Sequence, residues 1–199
     1  MYKLILGLII LNSNNLCYYL LMKNPNKTLY IISGANGSGK STLAEVLLKE
    51  KNLEFLNADE IAKEICPDAI NSVPISAGKL YFKRLNEYFQ NNKSFAVEST
   101  LSGNNIVRII EKAKQKNYKI ILIYSFLKNC AVCIERVKRR VENGGHNVPE
   151  EDIIRRYYKS IVKFWDDIVL WLMNGLCFIM DMNMHQLLFL LEQKTILVR

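Results

Sequence analysis

Thr28-Leu29-Tyr30-Ile31-Ile32-Ser33 runs directly into Gly34-Ala35-Asn36-Gly37-Ser38-Gly39-Lys40-Ser41-Thr42, and this passage decides the fold. The first six residues are a short apolar, β-branched run, which reads as a buried strand. The next nine contain Gly-x4-Gly-Lys-Ser in full, and residues 40–51 that follow read as a helix. A glycine-rich loop between a strand and a helix is the setting in which this motif holds phosphate. The glycines let the backbone turn tightly and approach an anion without a Cβ in the way. Successive N–H groups and the positive end of the helix then face the phosphates. Lys40 reaches the β- and γ-phosphates as a point charge, and Ser41 offers its hydroxyl to Mg2+. The guanine-reading sequence Asn-Lys-x-Asp does not occur in the chain, so ATP is the expected nucleotide.

Working outward, apolar runs and helical patterns alternate. Residues 53–57, 94–98, 118–125 and 177–181 read as further strands, and 59–65, 77–91, 104–116, 130–141 and 149–173 as helices, with Pro67 and Pro74 interrupting. Such alternation predicts an α/β protein with a parallel sheet covered on both faces. Residues 185–199 fit helix and strand equally.

In open α/β sheets ligands lie at the carboxyl ends of the strands. The second strand ends in Asn57-Ala58-Asp59-Glu60, which places Asp59 where it can orient and deprotonate an acceptor hydroxyl. An aspartate there can equally cap a helix starting at Ile61. The third strand ends in Glu98-Ser99-Thr100, so Glu98 is expected to meet substrate or a Mg2+-bound water, and Thr100 to hydrogen-bond a polar substrate.

Arg136 and Arg140 are four apart and share a helix face. Gly144-Gly145-His146 follows, then Arg155-Arg156 on the next helix. Phosphoryl transfer spreads charge over the γ-phosphoryl oxygens, and arginines on a mobile segment stabilise it. The glycine pair is expected to act as the hinge of a lid near residues 141–156. Cys130 and Cys133 lack a second pair and are read as structural. Trp165, Trp171, Tyr157 and Tyr158 are read as core, and the basic run Arg108–Lys119 as a solvated face.

The chain of 199 residues is 50% hydrophobic and 23% charged, with net charge +8, which fits one folded domain and an anionic partner. Its five cysteines show no repeated spacing, so a disulfide framework is not expected and a cytoplasmic location is. No apolar run reaches the roughly 20 residues of a membrane-spanning helix. Leu4–Leu11 is apolar but lacks a small-x-small cleavage site, so residues 1–21 are expected to be an appendage and 22–199 the working domain; the alternative is an extra strand or helix packed on the domain. The charge leaves nucleic acid open as a less favoured partner.

The stretches GANGSGKST (34–42), LNADEIAKE (56–64), SAGKL (76–80), SFAVESTLSG (94–103) and RVKRRVENGGHNVPEEDIIRRYYKS (136–160) together resemble the zeta-toxin family of P-loop kinases, in particular its small bacterial members. FIMDMN (178–183) matches more loosely: the usual Asp-Asn is spread over Asp181-Met182-Asn183. The resemblance implies a nucleotide-kinase-like, three-layer α/β/α sandwich on a five-stranded parallel sheet. It also implies a kinase using ATP and Mg2+ on a nucleotide sugar, UDP-N-acetylglucosamine in the toxin members, with an antitoxin protein as partner. Residue by residue, Lys40 and Ser41 would serve ATP and Mg2+ and Asp59 would be the base. Glu98 and Thr100 would face the active site, and Arg136 or Arg140 with Arg155 would hold the transferring phosphate.

Overall fold

The computed structural model describes residues 8–11, 27–67, 69, 72–164, 166 and 177–181. The strands are β1 (Leu8–Leu11), β2 (Thr28–Gly34), β3 (Glu54–Leu56), β4 (Phe95–Ser99), β5 (Lys119–Ser125) and β6 (Cys177–Asp181). The helices are α1 (Lys40–Lys51), α2 (Ala58–Ile65), α3 (Pro74–Gln90), α4 (Asn105–Gln115), α5 (Cys130–Glu142) and α6 (Glu150–Lys163). All strand pairs are parallel, in the order β1-β6-β5-β2-β4-β3.

The expected α/β architecture is therefore present, with six strands in place of five. The additional strand is Leu8–Leu11, from the segment expected to be an appendage; it extends the sheet edge by pairing with β6, Leu8 opposite Phe178. The rest of residues 1–21, Trp165, Trp171 and the tail after Asp181 lie outside the described residues.

Strand side chains alternate between faces, and β2 is buried on both. Leu29 and Ile31 join Phe95, Val97, Ile120, Leu122 and Tyr124 in a core against α2 to α6. Tyr30 and Ile32 join Ala96, Ile121 and Ile123 in a smaller core against Ala44 and Leu47 of α1. The central strand is thus fixed from four directions, by β4, β5 and two helical layers.

Two boundaries differ from the sequence reading. Helix α3 begins at Pro74 rather than residue 77, because proline at the first helical position gives up an N–H that has no partner there anyway. The basic run from Arg108 is divided: α4 stops at Gln115, and Lys119 already opens β5. Within it, Lys112 bonds Asn86 and lies over the Phe89 ring, so the helix face there is engaged rather than simply solvated. Among the described residues no helix is long and apolar enough to cross a membrane.

Candidate active site

The carboxyl ends of β2, β3 and β4 open into one cavity of about 980 Å³. From the phosphate loop Asn36, Gly37, Gly39, Lys40, Ser41 and Thr42 line it; Gly34, Ala35 and Ser38 sit behind as support. Asp59, Glu98, Thr100, Arg136, Arg140, His146 and Arg155 reach the same cavity, together with Arg156. Residues far apart in the sequence are thereby brought to one place.

The loop is held firmly from beneath. Ser125 at the end of β5 donates its hydroxyl to the Ser38 carbonyl at 2.6 Å. Gly34 lies so close to β5 that a Cβ there would come within 2.2 Å of the Ser125 carbonyl oxygen, which excludes any larger residue. Helix α1 begins at Gly39 with no side-chain cap and no acidic residue in its first turn. Its free N–H groups and positive dipole end are left for an anion. Among the described residues the Oδ1 of Asn36, which lines the cavity, is buried without a hydrogen-bond partner, a costly condition that a bound polar ligand would relieve.

Lys40 is buried, donates to the Ala35 carbonyl at 2.8 Å and stands 3.8 Å from the Glu98 carboxylate. Burial pulls the Lys40 pKa down and pushes that of Glu98 up; each partly restores the charge of the other. Asp59 also acts on both, favouring the charged lysine and disfavouring the charged glutamate, which places its carboxylate at the same site. Ser41 and Asp59 are exposed to the cavity, and Thr100 shares a 2.8 Å hydrogen bond with Ser102.

The capping alternative for Asp59 is overturned. Helix α2 starts at Ala58, and its cap is Asn57, whose Oδ1 accepts from the N–H of Asp59 at 2.8 Å and of Glu60 at 3.4 Å. The Asn57 Nδ2 donates to Glu98 at 3.0 Å. One buried amide therefore joins the end of β4 to the start of α2 and leaves the Asp59 side chain free. Asn57 was missed in the sequence reading; an Asn immediately before a carboxylate-bearing first turn was the available signal.

The arginines are arranged differently. Arg136 approaches the Gly37 carbonyl at 3.5 Å, and Arg140 donates to the His146 carbonyl at 2.6 Å. Arg155 and Arg156 both bond Asp152, which lowers the Asp152 pKa through the Arg155 hydrogen bond foremost. Arg139 pairs with Glu135 on the outer face of α5. Gly144 and Gly145 act locally. The Gly145 N–H bonds the Arg140 carbonyl and the Gly144 N–H that of Val141, with Gly144 at φ 79°. This pair of bonds ends α5 in a left-handed turn, so the glycine pair expected as a hinge also terminates the helix.

The Cys130 thiol is half-buried and Cys133 fully so; burial pushes both pKa values up, that of Cys133 to about 11. Neither is a ready nucleophile. Among the described residues no three His, Cys, Asp or Glu side chains converge as a metal cluster.

The AAA domain family matches residues 29–157. The chain is 32% identical over 132 residues to an uncharacterized protein of Haemophilus influenzae, covering 66% of this chain and 93% of that one. Among solved structures it resembles a chain of the AvrRxo1-ORF1:ORF2 complex with ATP (TM-score 0.60, 17% identity, 78% of this chain and 54% of that one). It also resembles a chain of the PezAT toxin–antitoxin system of Streptococcus pneumoniae (TM-score 0.53, 12% identity, 94% of this chain and 97% of that one). At these identities the structural likeness is one of fold.

Proposed function

Because the chain belongs to the AAA domain family, we propose that it is an ATP- and Mg2+-dependent kinase that phosphorylates a hydroxyl of a small molecule, a nucleotide sugar such as UDP-N-acetylglucosamine foremost. The observation that carries this reading is the meeting of an uncapped phosphate loop, Lys40, Glu98 and the unengaged Asp59 in one cavity. Ligand sites commonly measure about 300–1,000 Å³; at about 980 Å³ this one offers room for a donor and an acceptor together.

The chemistry follows from the residues. The N–H groups at Gly39 and the start of α1, with Lys40, hold the β- and γ-phosphates. The Ser41 hydroxyl would hold Mg2+, which suits a site of few protein oxygens completed by phosphate and water. Held by that hydroxyl, Mg2+ would supply positive charge to offset that of the phosphates. The acceptor oxygen attacks the γ-phosphorus, its bond to the β-phosphate oxygen breaks, and the acceptor proton passes to the Asp59 carboxylate. Arg136, Arg140 and Arg155 stabilise the charge spread over the transferring group. Glu98 holds Lys40 and, with Thr100, contacts the acceptor. An inhibitory antitoxin partner belongs to this reading through the zeta-toxin resemblance.

Replacing Asp59 by Asn tests the assignment. Transfer is expected to fall by about 10²–10⁴, the usual worth of a general base, while ATP binding by calorimetry stays unchanged. Transfer at the wild-type rate would remove Asp59 as base. Incubation with ATP, Mg2+ and UDP-N-acetylglucosamine should give a phosphorylated sugar nucleotide; turnover of another acceptor with none of this product refutes the sugar. The net charge of +8 favours one other reading, a polynucleotide 5′-kinase. It requires nucleic-acid affinity that falls steeply with salt, and ATP binding without such affinity at low salt dismisses it.

A further inference from the structure

Helix α3 carries a glycine for which the protein itself gives no reason. Gly78 lies in the helix interior, where glycine costs roughly 0.5–1 kcal/mol relative to alanine. Its φ is not in the left-handed region, and among the described residues a Cβ built on it meets nothing within 4 Å. Neither backbone strain nor close packing against the described residues explains the missing side chain. What Gly78 does face is the cavity.

Its surroundings give that position a meaning. On α2, Asp59 and Lys63 are one helical turn apart and both line the cavity, with Pro67 beyond the helix end continuing the line outward. On the neighbouring α3, Gly78, Tyr81 and Phe82 stand at the spacing of one helix face and line it too. The two helices pack against each other, and these six residues line the cavity that the phosphate loop also lines. The Tyr81 and Phe82 rings meet edge to face at 5.5 Å, and Phe82 is 43% exposed. Burial raises the Tyr81 pKa to about 12, so its hydroxyl stays protonated as a donor.

The geometry points to Gly78, Tyr81 and Phe82 as the specificity-determining wall of the cavity: a flat ring of the acceptor lies over the bare helix backbone at Gly78 and against the two aromatic rings, with an anionic group of the same molecule beside Lys63. The inference rests on the kinase reading above and adds which surface selects the acceptor. Ring stacking on an aromatic side chain is worth about 1–3 kcal/mol per ring in nucleobase sites, enough to decide between acceptors that share a reactive hydroxyl.

The test uses the full chain saturated with Mg2+ and a non-hydrolysable ATP analogue, so that the phosphate loop is filled. Binding of adenosine, guanosine, cytidine and uridine diphosphates is then compared with that of inorganic pyrophosphate. At least one nucleoside diphosphate should bind ten-fold or more tighter than pyrophosphate. Gly78→Leu and Phe82→Ala should each weaken that binding about ten-fold, leave affinity for the ATP analogue unchanged, and, for Gly78→Leu, leave thermal stability undiminished. Equal binding of pyrophosphate and all four nucleotides, or full retention of nucleotide binding in both variants, overturns the wall. Failure of the wild type to bind the ATP analogue overturns the kinase reading instead, so the two failures are separate.

Discussion

The floor and the rim of the cavity are built on opposite plans. On the floor, Lys40, Glu98 and Asn57 are largely buried, bonded to one another or to the loop backbone, and anchored at or just beyond the carboxyl ends of strands. On the rim, Arg136, Arg140 and Arg155 are exposed and rise from helices α5 and α6. Their partners are a loop carbonyl, a turn carbonyl and a neighbouring aspartate. A buried charge must be paired before any ligand arrives, whereas an exposed guanidinium remains hydrated and can wait for one. The floor therefore couples function to folding, and the rim can change its partners without disturbing the fold.

The strongest way to break this contrast is to remove one cation from each part. Lys40→Ala should reduce phosphoryl transfer by about 10³ or more, on the scale of losing a major transition-state contact, and should also lower the melting temperature because Glu98 is left without its cation. Arg140→Ala should reduce transfer by roughly 10² with stability within about 0.5 kcal/mol of wild type, as is usual for exposed sites. Steady-state kinetics beside thermal melts reads both. An Arg140→Ala protein as unstable as Lys40→Ala would erase the distinction.

Asn57 sharpens it with a smaller effect. Asn57→Ala loses both the α2 cap and the bond to Glu98, and should cost about 1–2 kcal/mol. Asn57→Ser keeps a capping oxygen but cannot reach as Nδ2 does. It should recover most of the stability while transfer stays reduced. Recovery of both together would mean that Asn57 is only a cap.

The smallest expected effect is in pH dependence. Burial raises the Glu98 pKa above its ordinary 4.5. The folded state thus binds this proton more tightly than the unfolded chain, and the cost of the buried carboxylate is fully present above the folded pKa. As pH falls through the window between that raised value and 4.5, this cost is relieved. Glu98→Gln removes the titration. The stability of wild type relative to the variant should improve on acidification through that window, as denaturant titrations at stepped pH would show. An unchanged difference across the window would contradict the burial-driven shift.

These contrasts also mark how much the sequence alone can disclose. The phosphate loop, Asp59 and Glu98 are legible because each stands at a strand end beside recognisable spacing, and spacing is local. The Asn57–Glu98 bond joins positions 41 apart and depends on β3 lying beside β4, which no local pattern states. Gly144-Gly145 is legible as a break in the helical pattern, but its bonds back to Val141 and Arg140, which end α5, are not. The strand Leu8–Leu11 was legible as an apolar run with an added strand or helix as its second reading, but not its pairing, since the partner lies about 170 residues further along the chain.

That last pairing has a consequence in time. Leu8–Leu11 is synthesised well before residues 178–181, to which it is matched. At a synthesis rate of about 5–20 residues per second, the partner follows on the order of ten to thirty seconds later. Throughout that interval the apolar sequence Leu-Ile-Ile-Leu has no strand to join. The sheet can close around β2, β4 and β5 long before β1 is docked, so the nascent protein passes through a stage in which its centre is assembled and this edge strand still waits for β6.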